Sequence, residues 1–167
     1  MPTTNENLAV AFAGESQANR RYLAFAKKAD AEGLPQIARL FRAAAEAETV
    51  HAHAHLRAMK GVADTLTNLE AAAAGEAHEF KSMYPDFVRT AEAEKNAAAL
   101  TSFKNAMAVE QTHHRLYTGA IAAAKTKKDL PAAPIYVCPF CGHTEVGGAP
   151  DTCPVCGAKK DRFVEIK

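Results

Sequence analysis

Residues 48–51 read Glu-Thr-Val-His and residues 110–113 read Glu-Gln-Thr-His. In each, a carboxylate and an imidazole stand three residues apart, so on an α-helix they project from one face, one turn apart. Alone, such a pair on an alanine-rich helix reads as a solvated or ion-pairing surface. The surrounding sequence changes that reading. Between the two pairs lies Glu76-Ala77-His78-Glu79, a carboxylate pair at the same spacing, and ahead of them stands Glu15 in Ala13-Gly14-Glu15-Ser16-Gln17.

Each of these segments falls on its own expected helix. The first runs from about Asn5 to Ala31, with Thr3 and Glu6 as a capping box and Gly33 as the stop. The second opens near Pro35, a residue favoured in a first helical turn, and ends before Gly61. Thr67-Asn68-Leu69-Glu70 offers a capping box for the third, which Pro85 should kink or interrupt, and a fourth covers roughly Asn96 to Lys125. Short connections between helices favour antiparallel neighbours in a bundle.

Height along the bundle is a test of whether the acidic and imidazole groups can meet. Glu15 lies 18 residues before the turn at residue 33 and Glu48 lies 15 after it; Glu79 lies 17 before residue 96 and His113 lies 17 after. In antiparallel hairpins such positions are level to within roughly one turn of about 5 Å. The five carboxylates and two imidazoles would repel unless cations sat among them. Oxygen ligands mixed with imidazole suit iron or manganese, and four-helix bundles with di-iron centres use a Glu-x-x-His on each of two helices. Tyr22 and Tyr84 sit where a hydroxyl could reach a metal carboxylate, with an ordinary buried tyrosine as the alternative reading. His53, His78 and His114 are expected to face solvent. His55, one turn beyond His51 on the same side, is read as a surface residue, with a place beside a metal ligand as the alternative, and His143 is expected to be exposed.

The chain changes character near its end. Residues 1–137 contain no cysteine, whereas Cys138, Cys141, Cys153 and Cys156 form two Cys-Pro-x-Cys-Gly knuckles eleven residues apart. That is a four-thiolate metal site, and so small a module must take much of its folding energy from the metal. Zinc and iron both use such knuckles. Tyr136, Phe140, Phe163 and the attached acidic bundle favour a redox iron, with a zinc ribbon as the alternative. Asp129-Leu130-Pro131-Ala132-Ala133-Pro134 marks the expected boundary, giving a helical domain over 1–128, a linker over 129–134 and a metal-knuckle domain over 135–167. With 20 basic and 19 acidic residues, and no long apolar run or leader-like N-terminus, no nucleic acid or membrane is expected as partner. The cytoplasm is the expected compartment.

Together these landmarks, with Met83-Tyr84-Pro85 after the third helix's carboxylates, resemble the rubrerythrin family along nearly the whole chain. The resemblance implies an all-α, ferritin-like four-helix bundle with a small rubredoxin-like C-terminal domain. It implies that Glu15, Glu48, Glu76, Glu79, Glu110 and His113 hold a di-iron centre, with His51 and Glu79 exchanging on one iron as its redox state changes. Tyr22 and Tyr84 match the family's tyrosines beside the metal. The implied activity is reduction of hydrogen peroxide, with electrons relayed through a rubredoxin-type iron from a rubredoxin or an NAD(P)H-dependent reductase. A ferroxidase or iron-handling role is the alternative. One departure stands out. Ferritin-like bundles return the chain by a long crossover between helices two and three, and residues 61–67 are too few for it. A crossing of roughly 30 Å is needed against at most about 25 Å of extended chain. A homodimer that swaps helices one and two is therefore expected, with an up-down-up-down monomer as the alternative.

Overall fold

The computed structural model describes residues 1–167 and divides the chain into two compact units, Met1–Ala63 and Asp64–Lys167. The first is a hairpin of α1 (Thr4–Ala31) and α2 (Pro35–Ala58). Thr3 and Glu6 form the expected capping box, satisfying two of the orphan N–H groups at the start of α1. Gly33, at φ +75°, turns the chain where a side chain would be strained, and Pro35 opens α2. Alanines 26, 29, 38, 45 and 52 are buried, so the helices pack with little between them. Asn19 is buried as well, its Nδ2 donating to the Ala45 carbonyl at 2.6 Å and to Thr49 Oγ1 at 2.8 Å. An aromatic cluster of Tyr22, Phe25 and Phe41, with ring centres 5.5–6.3 Å apart, fills the turn end of the hairpin.

In the second unit, α3 (Thr65–His78), a π-helical turn (Glu79–Met83) and α4 (Tyr84–Ala93) run without a break and pack along α5 (Ala97–Lys125). The start of α3 differs from expectation. Asp64, and not Thr67, is its cap: the Asp64 carboxylate accepts from the Thr67 N–H at 3.1 Å and from the Thr67 hydroxyl at 2.7 Å. Pro85 does not interrupt the rod. It lies in the first turn of α4, directly after the wide π turn, where its missing N–H is accommodated. His114, expected in solvent, instead faces α3, with Nδ1 2.9 Å from the Ala73 carbonyl and its ring 5.6 Å from that of Phe80.

Residues 128–134 have no regular structure, and the chain then forms a three-stranded antiparallel sheet in the order β2-β1-β3. Its strands are β1 (Ile135–Val137), β2 (Thr144–Val146) and β3 (Val164–Ile166). Each cysteine knuckle closes on a glycine with positive φ, Gly142 at +87° and Gly157 at +78°. Their N–H groups donate to the Cys138 and Cys153 carbonyls at 2.9 and 3.0 Å. Strand β2 lies against α5, close enough that a Cβ on Gly142 would sit 3.7 Å from Val109 Cγ1. No helix is long and apolar enough to cross a membrane.

Candidate metal centres

Each unit gathers one carboxylate–imidazole triad. In the first, α1 supplies Glu15 and α2 supplies Glu48 and His51, and one ligand atom from each lies within 4.8 Å of the others. Glu48 and His51 occupy successive turns of one face, and Glu48 Oε2 is 3.1 Å from His51 Nδ1. Two carboxylates this close disfavour each other's charge. A hydrogen bond to Glu48 raises the Glu15 pKa, and burial and the charge on Glu48 add to the rise. The other nitrogen of His51 has no partner within the unit, and the side chain is 55% exposed.

The second triad combines Glu76 of α3 with Glu110 and His113 of α5, again within 4.8 Å. His113 Nδ1 lies 2.8 Å from Glu110 Oε2 and 3.7 Å from Glu76 Oε1. Burial first, and then the neighbouring Glu110, raise the Glu76 pKa. Tyr84 belongs to the same surroundings: burial and the charges of Glu110, Glu79 and Glu76 hold its hydroxyl above the usual phenol range. Its ring packs on Phe87 and Phe103 at 6.0 and 6.3 Å.

Of the seven groups read as ligands, six fall into these triads. Glu79 does not; it opens the π turn one helical turn beyond Glu76 and acts on Tyr84 through its charge. Tyr22 is part of the α1–α2 aromatic cluster. His55, read as a surface residue, is half-buried and near enough to Glu15 to act against the rise in its pKa.

The thiols of Cys138, Cys141, Cys153 and Cys156 also lie within 4.8 Å of one another. Cys138 Sγ is 3.6 Å from Cys156 Sγ, and Cys141 Sγ is 3.6 Å from Cys153 Sγ. A disulfide needs about 2.05 Å. Four sulfurs at tetrahedral corners, each about 2.3 Å from a metal, are about 3.8 Å apart, so the knuckles already have the dimensions of a metal site. Without a cation the thiols cannot all ionise. Burial pushes Cys141 and Cys156 up, while at Cys138 it is outweighed by N–H bonds from Phe140 and Cys141 that pull the thiol down. These donors fit a rubredoxin-type iron, and the carboxylate–imidazole groups fit a di-iron centre.

Two neighbours of the knuckles were not legible in the sequence as parts of a site. His143, expected in solvent, is 3% exposed, with Nε2 3.2 Å from Glu145 Oε2. Thr144 places Oγ1 3.0 Å from His113 Nε2. Neither has a spacing signal, because Thr144 is placed by the packing of β2 on α5 and His143 by the fold of the knuckle module.

Known proteins match this chain along its length. The family model described as Rubrerythrin covers residues 6–121, and that described as the rubrerythrin rubredoxin-like domain covers residues 136–164. Rubrerythrin-2 of Clostridium acetobutylicum is 36% identical over 96% of this chain and 95% of its own. Nigerythrin of Nitratidesulfovibrio vulgaris is 36% identical over 96% of this chain and 85% of its own. Solved structures of nigerythrin in its mixed-valence and fully reduced, all-ferrous states are 34% identical, cover 99% of this chain and 88% of theirs, and superpose with TM-scores of 0.59 and 0.58. The fold is thus a ferritin-like helical assembly carrying a small rubredoxin-like domain.

Proposed function

The chain belongs to the rubrerythrin family, and we propose that it is a non-haem di-iron peroxidase that reduces hydrogen peroxide to water. The overall balance is one peroxide, two electrons and two protons giving two waters. An iron held by the four cysteines would supply one-electron transfer, with a rubredoxin or an NAD(P)H-dependent reductase as the external donor. The observation that carries this reading is the contact between the two metal-binding modules: His113, in the second triad, is hydrogen-bonded to Thr144, three residues beyond Cys141. Storing or oxidising iron requires no such attachment. That nigerythrin is known in mixed-valence and all-ferrous states supports a redox-active iron site here.

Glu15, Glu48, His51, Glu76, Glu79, Glu110 and His113 would hold the iron pair, and Cys138, Cys141, Cys153 and Cys156 the single iron. A bound iron pair supplies electrons and Lewis acidity to the O–O bond. The chain supplies proton positions, since the neighbouring Glu48 raises the Glu15 pKa and the Tyr84 hydroxyl stays protonated beside three carboxylates. The His51 ring, exposed and held on one side only, is free to turn, as an exchange with Glu79 requires.

The working form is a homodimer with exchanged helices. Only residues 59–64 join α2 to α3. Six extended residues reach at most about 22 Å, whereas a 24-residue helix such as α2 is about 36 Å long. In a ferritin-like bundle within one chain, that link would have to travel back along the helix. The α1–α2 hairpin of one copy therefore pairs with α3–α5 of the second, and each di-iron site draws one triad from each copy. Apolar side chains left exposed on the hairpin, among them Val10, Leu40 and Val50, provide surface for that pairing.

Steady-state assay of the iron-loaded protein with an NADH-linked reductase tests the activity. Peroxide consumption coupled to NADH oxidation is expected, and abolition in the Glu48→Ala and Cys156→Ser variants places both modules in the pathway. Ferrous oxidation with growth of a ferric mineral, and no coupled peroxide turnover, would identify a ferroxidase instead.

A further inference from the structure

His113 has its two ring nitrogens in different modules. Nδ1 faces Glu110 and Glu76 at 2.8 and 3.7 Å, and Nε2 faces Thr144 Oγ1 at 3.0 Å. Thr144 Oγ1 is in turn 3.2 Å from the Gly142 carbonyl, the residue that follows Cys141. A neutral imidazole has one N–H and one bare nitrogen, and a cation among the carboxylates needs the bare one at Nδ1. The proton must then sit on Nε2. Thr144 can take it, because a hydroxyl accepts one hydrogen bond while donating another, here to the Gly142 carbonyl. His51, in the other triad, has no counterpart: one nitrogen faces Glu48 at 3.1 Å and the other has no partner within its unit.

We propose that Thr144 is a positioning residue for the metal pair: its hydroxyl holds His113 with Nε2 protonated and Nδ1 turned to the metal, and ties that ligand to the cysteine knuckle through Gly142. The inference rests on reading His113 as a ligand, and it goes beyond that reading by assigning the choice of tautomer to a residue of the other module. It also divides the histidines by role. His113 is anchored, and His51 is the one left free to move.

Thr144→Val keeps the shape and β-branching of the side chain and deletes the hydroxyl, whereas Thr144→Ser keeps the hydroxyl. The full-length zinc-loaded protein is diamagnetic, so ring nitrogen–proton correlation spectra report the His113 tautomer directly. In the parent protein a slowly exchanging Nε2–H is expected. In Thr144→Val it should exchange too fast to observe, and Thr144→Ser should restore it. Loss of an orienting partner of this kind weakens metal binding by about 10- to 100-fold. Titration of the helical site with zinc should show that weakening for the valine variant and parent-like binding for serine. A protected Nε2–H and unchanged affinity in Thr144→Val would overturn the role of Thr144. Parent-like affinity in His113→Ala would instead overturn the ligand assignment beneath it, so the two failures are distinguishable.

Discussion

Glu76 keeps its proton above the ordinary carboxylate range because burial and the adjacent Glu110 both disfavour its charge. In the unfolded chain it titrates near about 4.3. The folded metal-free protein therefore binds this proton more tightly, and the stability it contributes is full below the unfolded value and is lost as pH rises through the folded one. A bound metal reverses the sign, because the ligand must be ionised and protons compete for it. Metal-free protein should lose melting temperature as pH is raised from about 4 to 7, more steeply than its Glu76→Gln variant, and metal-loaded protein should gain it. A metal-free profile identical to that of Glu76→Gln would remove Glu76 from this account. At this scale the sequence carried the clustering well, since a three-residue spacing on a helix puts two side chains together whatever the rest of the fold does. Six of seven expected ligands cluster, and Glu79, at the start of the π turn, stands aside. Thr144 was not legible: strand packing against a helix leaves no periodic mark.

Helices and knuckles differ in what holds them. Capped starts on α1, α3 and α5, alanine-lined contacts and aromatic clusters sustain the helices without a metal. The sheet of β1, β2 and β3 has three-residue strands, and Cys138 and Cys153 are the buried apolar residues of its module. Such a module depends on metal–thiolate bonds for its folding energy. Stripping the metals with a chelator under reducing conditions should therefore disperse the amide resonances of residues 135–167 into the unfolded range while helical circular dichroism changes little. Retention of native resonances for β1–β3 in the stripped protein would contradict this. Helix ends were readable where one cap dominates, as at Thr3 and Asn96. The start of α3 was misplaced because two caps overlap, and Asp64 captures the Thr67 N–H and adds a turn of backbone hydrogen bonds. The π turn was out of reach of helical periodicity, which assumes the regular turn it departs from.

For the whole molecule, the proposal of exchanged helices has a consequence that a monomeric bundle does not share. Combine one copy carrying Glu15→Ala and Glu48→Ala with a second carrying Glu76→Ala and Glu110→Ala. In an exchanged dimer, one of the two sites draws the intact hairpin of the second copy and the intact α3–α5 of the first. Half the di-iron occupancy should return in the mixed dimer, measured by iron content and ferric absorbance; none would return if each chain built its own site. The short link between α2 and α3 was the sequence's clue to this arrangement, because chain reach is set by residue count alone. The central claim, that the cysteine-bound iron feeds the di-iron site during peroxide reduction, is tested most directly by anaerobic stopped-flow absorbance of the fully reduced, iron-loaded protein mixed with hydrogen peroxide. The account predicts that the visible bands of the ferric four-cysteine site grow in on the timescale of turnover. A di-iron site that oxidises while the cysteine-bound iron stays ferrous would contradict it.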